Sequence, residues 1–127
     1  RELLEAFPEL KAIARKYPDE LSGGQLQLLA FATVLLERHD LYVFDEVLNH
    51  LDRGLATRVM GYIASNLAGA SNTHCVIITH DLDWRREYPG PLYVFVEGQV
   101  AARFAAGECA HDDTVMAMIL KRKTHRE

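Results

Sequence analysis

The sequence of 127 residues predicts an α/β fold, in which part of a parallel sheet is flanked by helices and followed by a C-terminal β-hairpin and helix. Residues 41–44 and 75–79 are short, continuous apolar runs, which are typical of parallel strands covered on both faces. Residues 92–97 and 99–104 are extended segments around Gly98, and this pattern predicts a hairpin. The order of helix, strand, helix, strand, hairpin and helix favours a layered α/β domain with a parallel core.

Composition narrows the class of protein further. Hydrophobic residues make up 49% and charged residues 25% of the chain, as in ordinary globular domains. The net charge of −4 argues against a general nucleic-acid-binding protein. No apolar stretch approaches the ~18 residues of a membrane span. The chain begins without Met, and residues 1–4 have the pattern of a helix interior, so we expect a fragment or a cut chain without a signal peptide. Neither the cysteines nor the histidines have the spacing of a structural zinc site.

The N-terminal third of the chain predicts two helices. Residues 2–16 carry apolar side chains at helical spacing, with a start or kink at Pro8, and residues 17–20 end this segment. Ser22 has the side chain of an N-cap for a second helix over residues 23–37. Because apolar residues surround nearly the whole of that helix, we expect it to lie in a domain interior.

The remaining helices follow the two strands. Residues 53–68 have one apolar side, which is typical of an amphipathic helix, and residues 69–72 form a turn before the second strand. Asp112 is predicted to cap a final helix that ends at Leu120. The tail at residues 121–123 is basic, and we expect it to be solvated.

Three short segments have the residue types of a phosphate and metal site. At residues 22–24, two glycines at the start of a helix leave backbone amides open to an anion, and the N-terminus of a helix favours negative charge. Asp45 and Glu46 close the first strand, where one carboxylate can hold Mg²⁺ and its neighbour can orient or deprotonate a water molecule. His80 follows the second strand and can donate a hydrogen bond to a phosphate oxygen.

Each segment also has a plainer interpretation. Residues 22–24 alone are typical of a helix start after a loop. Asp45 and Glu46 alone are typical of an acidic pair in solvent at the end of a strand. A histidine at the end of a strand is more often an ordinary loop residue, and Asp52 has the side chain of a helix N-cap. The order of the segments favours a shared site, because ligands of α/β sheets bind at the carboxyl ends of the strands.

Residues 21–25, 41–46, 49–52 and 78–81, in this order, resemble four motifs in the C-terminal half of an ABC-type ATPase. In that family these segments are the signature motif, the Walker B strand, the D-loop and the switch histidine. The resemblance is specific because four motifs occur in register, and it covers roughly residues 16–104.

The resemblance implies a partial P-loop NTPase-type sheet and a division of the chain. Residues 1–37 would be the signature-helix region, and residues 38–127 would run from the Walker B strand to the C-terminal part. The whole chain would then be the C-terminal half of one ABC ATPase domain.

The same resemblance implies a role for each site residue. The signature residues would contact the γ-phosphate of ATP held by a facing domain; these residues are Ser22, Gly23, Gly24 and Gln25. Asp45 would hold Mg²⁺, and Glu46 would be the general base for the attacking water. His80 would touch the γ-phosphate of the ATP bound in its own domain, and Asp52 would lie at the dimer seam. ATP and Mg²⁺ are therefore the implied cofactors.

The sequence departs from the family pattern at several positions. Val47 replaces the proline that usually follows the catalytic glutamate, and Leu28 and Thr33 stand where arginines are common. No Gly-x-x-x-x-Gly-Lys-Ser/Thr loop occurs, and the glutamine loop and the base-stacking aromatic residue are also absent. We therefore expect the N-terminal half with the Walker A loop to come from the rest of the polypeptide or from another chain.

The resemblance implies an ATPase that is inactive as an isolated chain, and it leaves the setting open. We favour the nucleotide-binding part of a membrane transporter, in which ATP closes a head-to-tail dimer with a second ABC ATPase domain and so drives a membrane subunit. This interpretation predicts a cytoplasmic location at the membrane surface. The alternatives are a soluble ABC ATPase that acts on the ribosome and a degenerate partner domain without catalysis, although Glu46 and His80 oppose the latter.

Overall fold

The computed structural model describes residues 2–68, 70–81, 83, 84, 88, 90–108, 115 and 117. The chain divides into two units, Arg1–Asp81 and Leu82–Glu127. The predicted cap at Asp112, the end of the final helix at Leu120 and the basic tail lie outside the described residues. No helix of the described part of the chain is long and apolar enough to cross a membrane.

The first unit begins with two short helices, α1 over Glu2–Ala6 and α2 over Glu9–Ile13. The predicted break at Pro8 is confirmed, since the proline lies between the helices and its ring nitrogen cannot donate a helical hydrogen bond. Helix α2 buries Leu10 and Ile13, and Phe7 before it is fully buried. The apolar spacing therefore holds α2 on the core of the unit.

Helix α3 spans Gly23–Val34 and begins with a complete capping box. The Gln25 amide donates to Ser22 Oγ at 3.3 Å, and the Ser22 amide donates to Gln25 Oε1 at 3.1 Å. The predicted N-cap is confirmed, but the helix ends three residues before the predicted position 37. The Leu35 and Leu36 amides bond to carbonyls three residues back, which tightens the last turn and ends the helix.

Only one side of α3 is buried among the described residues. That side carries Leu28, Phe31 and Ala32. Leu26, Leu29 and Val34 are about two-fifths exposed; their values are 42%, 40% and 42%. The expectation that α3 lies in a domain interior is therefore not met within this chain, because the described elements cover one side of it alone.

Strands β1, Leu41–Asp45, and β2, His74–Ile78, pair in parallel as predicted. The register pairs Leu41 with His74 and Asp45 with Ile78. The ladder continues beyond both ends, because the His74 amide donates to the Asp40 carbonyl at 2.8 Å and the Glu46 amide donates to the Ile78 carbonyl at 2.9 Å. The carboxyl ends of both strands therefore lie at one edge of the sheet.

The two faces of this sheet differ in burial. Tyr42 and Phe44 are buried on one face. On the other face the apolar side chains are about half exposed; they are Leu41, Val43, Val76 and Ile78. The prediction that both faces are covered is therefore wrong for the described part of the chain, since its helices pack on one face only.

Helix α4 spans Arg53–Tyr62 and continues into one π-helical turn over Ile63–Leu67, which confirms the predicted helix at residues 53–68. Asp52 caps it, because its Oδ1 atom accepts the Leu55 amide at 3.0 Å. The buried side of α4 carries Leu55, Ala56, Val59 and Met60.

The second unit contains a hairpin of β3, Leu92–Val96, and β4, Gln99–Phe104. Its turn has positive φ at Glu97 and Gly98, 52° and 76°, as a tight two-residue hairpin turn requires. The predicted hairpin and its turn at Gly98 are confirmed. Val94 packs with Val115 in the small core of this unit.

Candidate functional site

The ends of β1 and β2 bring Glu46 and His80 into direct contact. Glu46 follows β1 at once, and His80 lies two residues beyond the end of β2. His80 Nδ1 lies 2.8 Å from Glu46 Oε1, which is hydrogen-bonding distance. Two of the residues predicted to act together, 34 positions apart in the chain, thus share one interaction.

The backbone of Glu46 has an unusual conformation, with φ at 50°. Such positive values are uncommon for a residue with a side chain and cost about 1–3 kcal/mol. Here the Glu46 amide is held by the Ile78 carbonyl at 2.9 Å, and its own carbonyl accepts the Asn49 amide at 3.0 Å. The chain thus leaves β1 through a strained residue, whose conformation is held by these two backbone hydrogen bonds.

Only one oxygen of the Glu46 carboxylate is hydrogen-bonded to His80. Its side chain is 33% exposed, whereas that of His80 is 76% exposed. The Oε2 atom is buried and accepts no hydrogen bond from any described residue. A buried acceptor without a partner is costly, so Oε2 keeps a hydrogen-bonding capacity that no described residue uses.

The Glu46 carboxylate raises the pKa of His80 above its ordinary value of 6.5, first through the hydrogen bond and then through charge attraction. Desolvation acts in the opposite direction, and the Asp81 carboxylate adds the smallest contribution, an attraction that raises the pKa. His80 is therefore biased toward the imidazolium form, in which both ring nitrogens donate hydrogen bonds.

Asp45 ends β1 and is exposed, with Ile78 opposite it in the ladder. Among the described residues, no group of three or more His, Cys, Asp or Glu side chains could hold a metal ion. Mg²⁺ needs fewer, because it keeps several waters and is commonly bound by one or two carboxylates together with substrate phosphates. The exposed carboxylate of Asp45 fits that role, with phosphate and water oxygens supplying the other ligands.

The signature residues lie at the start of α3. The side chains of Ser22 and Gln25 are engaged with each other's backbone in the capping box. Helix geometry leaves the amides of Gly23 and Gly24 without an intrahelical carbonyl. An anion placed at this end of α3 would meet two amide donors and the positive end of the helix dipole.

The two glycines differ in what surrounds them. A Cβ atom at Gly24 would lie 2.6 Å from the backbone carbonyl oxygen of His50, which is too close for any real contact. At Gly23 the nearest atom, His50 Cβ, is 3.7 Å away, which is ordinary contact. Gly24 is thus needed where α3 approaches the D-loop backbone. His50 itself has φ at 65°, so the loop turns sharply there.

A cavity of about 350 Å³ lies between the signature residues and the D-loop. Its lining comes from α2, α3, the D-loop and α4; the residues are Glu9, Ser22, Gly24, Gln25, Leu28, His50, Leu51, Asp52 and Leu55. The structure therefore places the predicted residues in two groups. Asp52 joins the signature residues around this cavity, while Asp45 joins Glu46 and His80 at the strand ends.

Sequence reasoning missed two residues beside this cavity. Glu9 of α2 forms an ion pair with Arg58 of α4. They lie 49 positions apart, and neither belongs to a motif. No local signal in the sequence would have joined them.

Comparison with known proteins gives independent evidence of the family to which the chain belongs. A family profile described as "AAA domain, putative AbiEii toxin, Type IV TA system" matches residues 14–83. The petrobactin import ATP-binding protein FatE of Bacillus anthracis is 30% identical over 119 residues, which are 92% of this chain and 46% of that protein. The octopine permease ATP-binding protein P of Rhizobium radiobacter is 36% identical over 118 residues, which are 90% of this chain and 44% of that protein.

A match to a solved structure indicates the same family as these relatives. The crystal structure of the ADP conformation of MJ1267, an ATP-binding cassette of an ABC transporter, matches with a TM-score of 0.57 at 25% identity. The match covers 97% of this chain and 48% of that one. The chain belongs to the ABC-type ATPases. The predicted family and fold class are confirmed, and this ABC-type chain spans less than half the length of the three relatives.

The close approach of α3 to the D-loop generates a paired prediction. We expect Gly24→Ala to lower the free energy of unfolding by about 1–3 kcal/mol, because the added methyl group must displace the His50 carbonyl. Gly23→Ala is the matched control, and it should change stability by less than about 0.5 kcal/mol. Urea unfolding measures both. Equal losses in the two variants would contradict the packing described here.

The Glu46–His80 contact generates a pH prediction. In the Glu46→Gln variant, the His80 pKa should fall toward 6.5, and an NMR titration of the imidazole signals measures it. Because the folded pKa is raised, the stability from this contact is fully present below the unfolded pKa and is lost as the pH rises through the folded pKa. The stability difference between parent and variant should therefore shrink over that rise.

Glu37→Gln serves as the control for this titration, because it removes an exposed carboxylate before β1, at the opposite end of the strand. The His80 titration should be unaltered in that variant. If the Glu46→Gln variant also leaves it unaltered, the contact does not exist in solution.

Proposed function

We propose that this chain is the C-terminal half of an ATP-hydrolysing ABC domain that powers import across a membrane. The observation that carries the proposal is the 2.8 Å contact between His80 Nδ1 and Glu46 Oε1. It sets a carboxylate base and a hydrogen-bond donor side by side at the edge of the sheet where α/β folds bind ligands. The transport setting is supported by relatives whose names describe import and permease ATP-binding proteins.

Glu46 would be the general base. Its Oε2 atom has no hydrogen-bond partner among the described residues, and in the assembled site it would accept the proton of the attacking water molecule. His80 bonds the other carboxylate oxygen and so keeps the group in one orientation, which is the geometric requirement for proton transfer. His80 remains mostly exposed, so its second ring nitrogen can donate to a γ-phosphate oxygen.

Asp45 and the signature residues would complete the site on the side of this chain. Asp45 would hold Mg²⁺, which when bound neutralises charge on the phosphates. The amides of Gly23 and Gly24 would donate to the γ-phosphate of ATP held by a facing ABC domain. Ser22 and Gln25 would fix those amides through the capping box.

Partners would supply the phosphate loop, the cover for the sheet and the facing ABC domain. The half-exposed apolar face of the β1–β2 sheet favours a covering partner, and a segment or chain with the Walker A loop would provide both the cover and the phosphate loop. A second ABC domain would close head to tail at Asp52 in response to ATP. A membrane subunit would follow this closure at the surface of the membrane.

The test of the chemistry is Glu46→Gln in the ATPase assembled with the half that carries the phosphate loop. We expect ATP turnover to fall by about 10²–10⁴-fold, the usual contribution of a general base, while ATP binding is retained. The control is Glu37→Gln, which should keep normal turnover. Unchanged hydrolysis in the Glu46→Gln variant would eliminate Glu46 as the base.

The test of the setting is purification of the tagged chain from its own cells, with mass spectrometry of the chains that accompany it. We expect a membrane subunit and a Walker A segment, either as another chain or as part of the same polypeptide. Ribosomal proteins without a membrane subunit would overturn the proposal that the protein powers transport. The proposed ATP hydrolysis would then still be decided by the Glu46→Gln variant.

A further inference from the structure

An ion pair joins two helices that flank the signature cavity. Arg58 Nη2 of α4 donates to Glu9 Oε1 of α2. Both side chains are about half exposed, with values of 44% and 41%. The hydrogen bond from Arg58 lowers the pKa of Glu9 below its usual value, outweighing partial burial, which raises it. Glu9 is therefore charged near neutral pH, and the pair is intact.

A second, apolar contact holds the same two helices together. Phe7, immediately before Pro8 and α2, is fully buried, and its ring lies 5.6 Å from the ring of Tyr62 at the end of α4. Leu10 and Ile13 also bury one side of α2 in the core. The ion pair at Glu9, two residues beyond Phe7, adds a polar attachment of α2 to α4 beside the cavity.

The ion pair lies at the rim of the cavity beside the signature residues. Glu9 and Leu55 both line the cavity, and Arg58 lies one helical turn beyond Leu55 on the same side of α4. On the other side, Gly24 lies against the His50 carbonyl. The cavity is thus bordered by the contact of Gly24 with the His50 carbonyl and by the Glu9 side chain of the ion pair.

We propose that Glu9 and Arg58 are positioning residues, which hold α2 on α4 and so fix the spacing between the signature residues and the D-loop. The consequence for activity rests on the function proposed above, in which Gly23 and Gly24 donate to the γ-phosphate. Helix α2 also packs directly against α3, so a shift of α2 is carried to α3. Neither residue touches the reacting atoms.

Hydrogen exchange on the chain as purified from its own cells tests this proposal directly. The reporters are the amides of Gln25 and Leu26, which bond to Ser22 at the start of α3. In Glu9→Gln and in Arg58→Gln we expect their exchange to rise about twofold to fivefold, the range that an exposed ion pair can supply. The Glu46 amide, bonded to Ile78 in the strand ladder, should exchange as before.

The double variant that combines Glu9→Arg with Arg58→Glu restores the pair with the charges exchanged. It should return the exchange of both reporter amides toward the parent rate. Lys11→Gln, which removes a different charge from α2, is the control and should change nothing. Equal increases at Gln25 and Glu46, or no recovery in the double variant, would overturn the proposal, since either result indicates general loosening instead of positioning.

The assembled ATPase provides the functional measurement. Each single variant should raise the half-saturating ATP concentration about twofold to fivefold with little change in maximal turnover, and the double variant should recover it. If the unmodified assembly hydrolyses no ATP, the proposed function fails, while the exchange experiment still decides the positioning role. If exchange responds but ATP saturation does not, the pair positions the loop without any effect on activity, and the activity part of the proposal is wrong.

Discussion

The packing of aromatic rings around Phe31 is the constraint on which the unit Arg1–Asp81 depends. The Phe31 ring lies 5.8 Å from that of Phe7, 5.5 Å from that of Phe44 and 6.3 Å from that of Tyr62. Each ring belongs to a different segment: the region before α2, α3, β1 and α4. Burial of one such side chain contributes about 1.5–3 kcal/mol, and ring pairs add about 0.5–1.5 kcal/mol. The cluster therefore holds together the segments that present the signature, Walker B and D-loop residues.

The contact between Glu46 and His80 depends in turn on the register of the parallel pair. Pairing Asp45 with Ile78 places the Glu46 amide on the Ile78 carbonyl and leaves only Thr79 between Ile78 and His80. A slip of one residue would move His80 by about 3.3 Å and reverse the faces of the whole strand. The buried Tyr42 and Phe44 oppose such a slip, because it would expose them. Core packing on the buried face of β1 thus supports the register that brings Glu46 to His80.

The features that the sequence predicted well are those with a local cause. Ser22 and Asp52 cap their helices because a short polar side chain can reach an amide three residues ahead. Gly98 marks the hairpin because the turn needs positive φ. The proximity of Glu46 and His80 was predicted because the carboxyl ends of two parallel strands lie at the same edge of a sheet. The catalytic, nucleotide-binding and metal-binding roles came from the resemblance to a family, and they stay predictions.

The features that the sequence did not predict depend on distant or missing partners. Burial of β1 on both faces was expected from Leu41 to Phe44 being apolar, but that pattern cannot say which elements are present to cover each face. The pairing of Glu9 with Arg58 joins residues 49 positions apart, and charged residues are common on helix surfaces. The need for glycine at position 24 arises from the backbone carbonyl of His50, and a backbone atom leaves no trace in residue type.

The open face of the β1–β2 sheet connects folding with chemistry. Two paired strands are marginal on their own, and this face presents four half-exposed apolar side chains directly behind the edge that carries Asp45 and Glu46. In the proposed function, the partner that covers this face also brings the phosphate loop to the same edge. Covering the apolar face would stabilise the strands that hold Glu46 against His80, and the same event would create the ATP site.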